Sequence, residues 1–438
     1  MSASLLDELI DWLRIPSIST GGGDPADIAR AADWVCERVE AAGGSAEADT
    51  QLGGNPLAVG ELRATSGDAP TVLIYGHYDV QSVGDESAWT TPPFEPHIRD
   101  GRIYARGAAD DKGNFLPLLH VACELAREGA LPVNVRVLVE GEEEAGSEAV
   151  AKWIAADDRR ADCALVFDGG MADEQTPAVT VGLRGMVMVE IEVRTAERDL
   201  HSGLYGGSVL NALHVLNAMA ATVAPGPDGR VRDELRVGIE PPAQAELESW
   251  KRLKAGDAVI GEVGGRPVWS EAGAEYYMRN GADASLDINE LRGGEPRTVV
   301  PSTARGAISL RLAPRQDSAA MKDELERLLR SAVPEGAEVS FKWHHAEPAL
   351  SDPESAPVKL AAEAIGRACG VPAALVRSGG SIPAVAELMN HGIPTVVSGF
   401  TLPDDAFHAP NESFSLRSLE LGERSAHELY GALAALRA

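Results

Sequence analysis

Apolar residues in this chain gather into short runs that stop abruptly at acids or at histidine. Thr71-Val72-Leu73-Ile74-Tyr75 is one such run, followed by Gly76-His77-Tyr78-Asp79-Val80-Gln81, and its length and composition predict a buried strand. Val133 to Val139 predicts a second strand, leading into Glu140-Gly141-Glu142-Glu143-Glu144. Ala164-Leu165-Val166-Phe167 predicts a third, leading into Asp168. Asp100-Gly101-Arg102-Ile103-Tyr104 reads as a turn into another short strand. Helical spacing alternates with these runs. Leu5, Leu6, Leu9, Ile10 and Leu13 recur on one face until Pro16. Asp24-Pro25 caps a helix carrying Ile28, Ala32, Val35 and Val39, stopped at Gly43-Gly44. Asn114 opens another through Leu116, Leu119, Cys123 and Leu125, with Pro117 in the first turn, where a missing N–H is tolerated.

The rhythm changes at Gly182-Leu183-Arg184-Gly185. Met186 to Val193 alternates as a half-buried strand, and a helix follows from Val209 to about Ala220. Ala307 to Leu312 alternates again, Ala320 to Leu329 reads as a helix and Ala337 to Trp343 as a strand. Two such β-α-β groupings predict a small ferredoxin-like α+β unit. Pro225 to Pro267, rich in Pro, Gly and charge, reads as a long loop or helical excursion. From about Glu347 the first rhythm returns, with a helix at Val358–Cys369 and a strand at Thr395–Val397. The expected fold class is α/β. A mostly parallel, doubly wound domain (residues 1–184 and 347–438) is interrupted by a smaller α+β domain (residues 185–346). A length of 438 residues also exceeds the usual single core.

Charge narrows the partners. There are 67 acidic against 39 basic residues, a formal net charge of -28. A nucleic-acid or anionic-membrane binder would need a concentrated basic patch, so neither partner is expected. Cys36, Cys123, Cys163 and Cys369 lie far apart with no C-x-x-C pair, which fits a reducing compartment rather than a disulfide framework. No apolar stretch approaches membrane-spanning length, and the N-terminus lacks the basic, apolar, small-residue order of a signal peptide. A cytoplasmic protein is expected.

The acids at strand ends carry the chemistry. Open α/β sheets hold ligands beyond the carboxyl ends of their strands. Several acids and a histidine there suggest a shared set of hard oxygen and nitrogen donors for divalent metal. Gly107-Ala108-Ala109-Asp110-Asp111-Lys112-Gly113 places two adjacent acids in a turn before a helix, where either Lys112 or a cation could hold them. Glu142-Glu143-Glu144 reads either as a solvated face or, from its place after a buried strand, as part of the site. His408 lies in a loop after the 395–397 strand and can reach the same edge as His77. His97, His120, His214, His344, His345, His391 and His427 are read as structural. No G-x-S-x-G elbow, phosphate loop or H-E-x-x-H helix occurs, so serine hydrolases, P-loop enzymes and thermolysin-type proteases are unlike this chain.

In order along nearly the whole chain, Gly76-His77-Tyr78-Asp79, Gly107 to Gly113, Glu143-Glu144, Asp168 and His408 with Asn411-Glu412 resemble the motifs of the aminoacylase and carboxypeptidase metallohydrolases. Asp199-Leu200-His201-Ser202-Gly203-Leu204-Tyr205-Gly206-Gly207 and Arg377-Ser378-Gly379-Gly380-Ser381-Ile382-Pro383 most resemble the carnosinase-like, cytosolic non-specific dipeptidases. The resemblance implies two divalent ions, Zn2+ first and Mn2+ second. His77, Asp110 and Asp168 would bind one ion and Asp110, Glu144 and His408 the other. Asp79 would orient His77, and Glu143 would be the general base for a hydroxide shared by the two ions, with Glu142 competing for that register. His201 would stabilise the oxyanion from the lid domain of a second subunit, making a homodimer. Thr298, Arg311, Gly380 and Ser381 would hold the substrate's carboxylate. The implied activity is hydrolysis of dipeptides or short peptides with a free C-terminal carboxylate. The alternatives are an N-acyl-amino-acid deacylase or glutamate-type carboxypeptidase, and a catalytically silent binding protein on the same fold.

Overall fold

In the computed structural model, residues 3–436 are described. Eight strands of a nine-stranded sheet follow the order Ser45–Asp49, Leu57–Leu62, Asn134–Glu140, Thr71–His77, Cys163–Phe167, Thr395–Ser398, Ala178–Leu183, Ala349–Leu350, and Ala374–Ser378 pairs beside Ala178–Leu183. The four strands from Asn134–Glu140 to Thr395–Ser398 run parallel to one another. Antiparallel pairings flank them. The sheet is therefore parallel at its centre and mixed overall.

Both faces of the centre are covered, which is why its strands read as unbroken apolar runs rather than alternating ones. Val72 and Ile74 pack into one core with the helices Ala3–Leu13, Pro25–Ala41, Lys112–Arg127, Ala356–Cys369 and Leu416–Leu433. Leu73 and Tyr75 face a second core with Glu148–Ala156 and Pro383–Asn390. Leu5, Leu9 and Leu13 of the first helix are fully buried, as their spacing predicts. Asp24 accepts from the Ala26 N–H at 2.9 Å and caps the second helix. The third begins at Lys112 rather than Asn114, so Pro117 falls in its second turn and not its first. That position leaves the Gly113 carbonyl without its helical donor. The ring lies against Gly422, where an added Cβ would come within 2.9 Å of it.

The smaller unit is a four-stranded antiparallel sheet, ordered Ser285–Gly293, Thr303–Leu312, Gly185–Arg194, Glu338–Ala346. The helices Ala212–Val223 and Ser318–Arg330 share its core. With the chain order this makes the β-α-β-β-α-β pattern of a ferredoxin-like unit. The first helix starts at Ala212 because Asn211 caps it, accepting from the Leu213 and His214 N–H groups at 2.9 and 3.2 Å. The excursion after it holds the helices Gln244–Trp250 and Gly256–Glu262. Two crossings join the sheets side by side. Arg184 alone separates Ala178–Leu183 from Gly185–Arg194, and on the return Ala349 pairs with Leu183 while Ala346 pairs with Met186. No helix among the described residues is long and apolar enough to cross a membrane.

Candidate metal centre

Because the four central strands are parallel neighbours, their carboxyl ends meet at one edge. His77 ends one strand, Asp168 follows the next, Glu143 and Glu144 form a turn after Asn134–Glu140, and His408 lies in the loop after Thr395–Ser398. Asp110, beside the start of the Lys112–Arg127 helix, completes the group. Donor atoms of His77, Asp110 and Asp168 lie within 4.8 Å of one another, as do those of Asp110, Glu144 and His408. Asp110 is common to both sets. Its Oδ1 lies 3.1 Å from His77 Nε2 and its Oδ2 2.8 Å from His408 Nε2, which is also 3.2 Å from Glu144 Oε1.

The electrostatics are those of acids forced together. Burial would raise the Asp110 carboxyl, but hydrogen bonds from His408 and His77 hold it well below its ordinary range. Burial works against a charged His77, and its contacts with Asp110 and Asp79 overcome that to hold it well above the usual imidazole value. His408 is pushed up to about 10 by hydrogen bonds to Asp110 and Glu144. Burial and the surrounding carboxylates push Asp168 well up, and burial pushes Glu143 up to about 7. No lysine or arginine among the described residues pairs with these acids. Lys112 turns away, its Nζ donating to the Trp12 and Ile15 carbonyls at 3.2 and 2.8 Å at the end of the first helix.

The three consecutive glutamates separate by what they touch. Glu142 accepts from the Asn55 and Ala149 N–H groups at 3.0 and 2.9 Å, so it ties a loop to the following helix. Glu143 and Glu144 remain at the centre. Asp79 does more than face His77. The His77 Nδ1 lies 3.0 Å from the Asp79 main-chain oxygen and 3.4 Å from Oδ1. The Asp79 carboxylate accepts from the Glu143 and Glu144 N–H groups, each at 3.2 Å, and from Ser19 Oγ at 2.5 Å.

Sequence reasoning gave Glu412 no role. Buried, it accepts from the N–H groups of Gly107, Ala109 and Asp110 at 2.9, 2.8 and 3.1 Å and pairs with Arg106 at 2.6 Å. It therefore clamps the turn that presents Asp110. Its proximity to His408 in the Asn411-Glu412 motif was the only signal available.

Arg311, Gly380 and Ser381 lie by the crossings between the sheets. Arg311 pairs with Met186 and Ser285 in the strand register. Beside it, Arg184 is buried. Burial and then the Arg311 charge push the Arg184 guanidinium down to about 10. Ser381 Oγ donates to the Arg184 carbonyl at 2.5 Å, and the Gly380 N–H donates to Ser378 Oγ at 3.1 Å. His201 and Thr298 are exposed on a two-stranded ribbon, Leu200–His201 with Val299–Val300, beyond the other end of the smaller sheet. The Ser202 N–H beside His201 donates to the Thr298 carbonyl at 3.0 Å, and His201 belongs to neither donor group.

The family model for peptidase family M20/M25/M40 matches residues 73–430. The chain belongs to that family. It is similar to the cysteinylglycine-S-conjugate dipeptidase of Corynebacterium striatum, with 29% identity over 89% of this chain and 87% of that protein. Human Beta-Ala-His dipeptidase is 26% identical over 79% of this chain and 71% of its own length. Among solved structures, an M20 family metallo-carboxypeptidase from Sulfolobus solfataricus superposes with a TM-score of 0.86 at 26% identity, covering 99% of this chain and 100% of that one. Human carnosine dipeptidase 1 superposes at 0.80 with 23% identity over 99% and 96%. The two chains share a fold over nearly their whole lengths. For an M20 metallopeptidase the donor set is chemically apt, since two imidazoles and three carboxylates that pair with no lysine or arginine among the described residues suit divalent ions.

Proposed function

We propose that this M20 peptidase hydrolyses dipeptides or short peptides bearing a free C-terminal carboxylate, with two divalent ions, Zn2+ first and Mn2+ second. One observation carries the reading: Asp110 belongs to both donor groups while Glu143 lies beside them outside either. His77, Asp110 and Asp168 would hold one ion, and Asp110, Glu144 and His408 the other. Bound there, such ions polarise an amide carbonyl and acidify water.

The chain's own groups do the rest. Glu143 takes a proton from the attacking water onto its carboxylate and passes it to the departing amine nitrogen. Burial favours the protonated form of Glu143 and so helps it hold that proton between the two transfers. Asp79 keeps His77 and the Glu143–Glu144 turn at a fixed spacing. Arg311 and the Gly380–Ser381 loop receive the terminal carboxylate, which a guanidinium can grip at two points.

His201 and Thr298 are assigned to a second copy on grounds of reach. Arg311 and Thr303 are eight residues apart on one strand, roughly 25 Å at the usual rise, and the ribbon of His201 begins beyond Thr303. An extended dipeptide is about 7 Å long. One chain's Arg311 and His201 therefore cannot hold the same substrate, and a homodimer in which His201 serves the partner's site removes the conflict. Mixing inactive His201→Ala and Glu143→Ala subunits is expected to recover part of the activity. Mixtures that stay silent although subunits exchange would overturn the shared site.

The test of the activity is a panel of dipeptides set beside N-acetyl and N-succinyl amino acids and longer peptides with the purified enzyme. Dipeptides are expected to give the highest kcat/KM; preference for acylated amino acids would make the protein a deacylase instead. A chelator is expected to abolish turnover and lower the thermal midpoint, with Zn2+ or Mn2+ restoring both. Asp79→Asn, which weakens acceptance from two backbone N–H groups and from Ser19, is expected to loosen metal affinity by about 10- to 100-fold, measured by competition with a chromophoric chelator.

A further inference from the structure

The excursion of the smaller unit returns to the larger one at the strand that carries the Gly380–Ser381 loop. Ala374–Ser378 has a strand neighbour, Ala178–Leu183, on one side. Its other side meets the helix Gln244–Trp250. Glu246, Ser249 and Trp250 share one face of that helix by their i, i+3, i+4 spacing. Ser249 Oγ accepts from the Leu375 N–H and Trp250 Nε1 donates to the Leu375 carbonyl, both at 3.1 Å. Side chains thus replace the missing strand at an edge that would otherwise expose backbone groups.

The strongest contact of this dock lies next to the loop. Arg377 donates from Nε to Glu246 Oε1 at 2.6 Å and from Nη2 to Oε2 at 3.1 Å, and both side chains are within 2% of complete burial. Glu246 Oε2 also accepts from the Ala243 N–H at 2.7 Å. Space for the Arg377 stem comes from two glycines: an added Cβ at Gly182 would lie 3.0 Å from Arg377 Cγ, and one at Gly281 would lie 2.8 Å from its Cβ. The strand register skips a residue between Val376 and Arg377, and such an irregularity re-aims the side chains beyond it. Immediately after come Ser378, whose carbonyl accepts from the Arg184 N–H at 3.1 Å, and then Gly380 and Ser381.

We propose that Glu246 is a positioning residue for recognition of the substrate's carboxylate: paired with Arg377, it fixes the start of the Ser378–Ser381 loop. This rests on the proposed role of Gly380 and Ser381 in meeting that carboxylate. A buried two-point pair is directional, whereas apolar packing alone would leave the loop's angle free. Recognition in this enzyme then depends on a segment some 130 positions away in the chain, since Glu246 and Arg377 are 131 apart.

The test uses the full-length, metal-loaded enzyme with a dipeptide and the same dipeptide as its C-terminal amide. Glu246→Gln is expected to raise KM for the free acid by about tenfold, the scale of one lost charge-assisted hydrogen bond. kcat should stay within about twofold, and the preference for acid over amide should shrink in proportion to KM. Ser249→Ala, which weakens the dock without touching Arg377, is expected to leave KM and that preference unchanged. Breaking a buried pair also lowers stability, but an unfolded fraction reduces apparent kcat and leaves KM alone. If Glu246→Gln does not fold, Arg377→Lys, which keeps the charge and loses the fork, is read in the same way. A fall in kcat with KM and the acid-to-amide preference intact would reduce Glu246 to a structural role. A parent enzyme indifferent to acid or amide would instead overturn the assignment of Gly380 and Ser381.

Discussion

Glu143→Gln is expected to lower kcat by about a hundredfold to ten-thousandfold, the usual worth of a positioned acid–base group. The amide keeps the size of the side chain and removes its capacity to take a proton. Metal content and KM should stay near the parent values, because the two donor groups consist of other residues. The neighbouring substitution makes the comparison decisive. Glu142 accepts backbone N–H groups from Asn55 and Ala149, so Glu142→Gln should lower the thermal midpoint and leave kcat within a few fold of the parent. Steady-state kinetics and metal analysis on both proteins read the difference. Full turnover by Glu143→Gln would remove it as the base.

Glu412→Ala is expected to be the most disruptive single change near the centre for stability. It deletes the acceptor of three backbone N–H groups and leaves Arg106, which is 1% exposed, without its carboxylate. Removing one partner of a buried ion pair typically costs about 3–5 kcal/mol. The Gly107–Asp110 turn loses its anchor at the same time, so metal content should fall together with the urea midpoint. Titration with urea and metal analysis of the folded fraction test both halves. A variant with parental stability and full metal content would show that the turn holds itself.

Residue order made legible the features that depend on local pattern. Thr71–His77 and Cys163–Phe167 are buried on both faces, so their apolar runs stand out. Acids that follow such runs are improbable unless something uses them, which made His77, Asp168 and the 142–144 run visible. The backbone partners of several acids stayed hidden, even where the acid itself was singled out, as Asp79 and Glu142 were. Glu142, Asp79 and Glu412 each bind main-chain atoms distant in sequence, and no spacing records such a partner. Lys112 is the reverse case. Beside Asp110 and Asp111 it looks like their counter-charge, yet the fold spends it on the carbonyls of Trp12 and Ile15. The excursion after Pro225 was legible as an interruption, while its return to Ala374–Ser378 required the assembled sheet.

The paired crossings at Arg184 and Ala346–Ala349 have a mechanical corollary. Arg311 lies beside them, while the His201 ribbon lies beyond the far end of the smaller sheet. A small turn about the crossings would move the Arg311 guanidinium little and sweep the His201 imidazole through a wide arc. In the proposed homodimer, each peptide would thus meet the near end of one subunit's smaller unit and the far tip of its partner's, so the two contacts would respond unequally to the same turn.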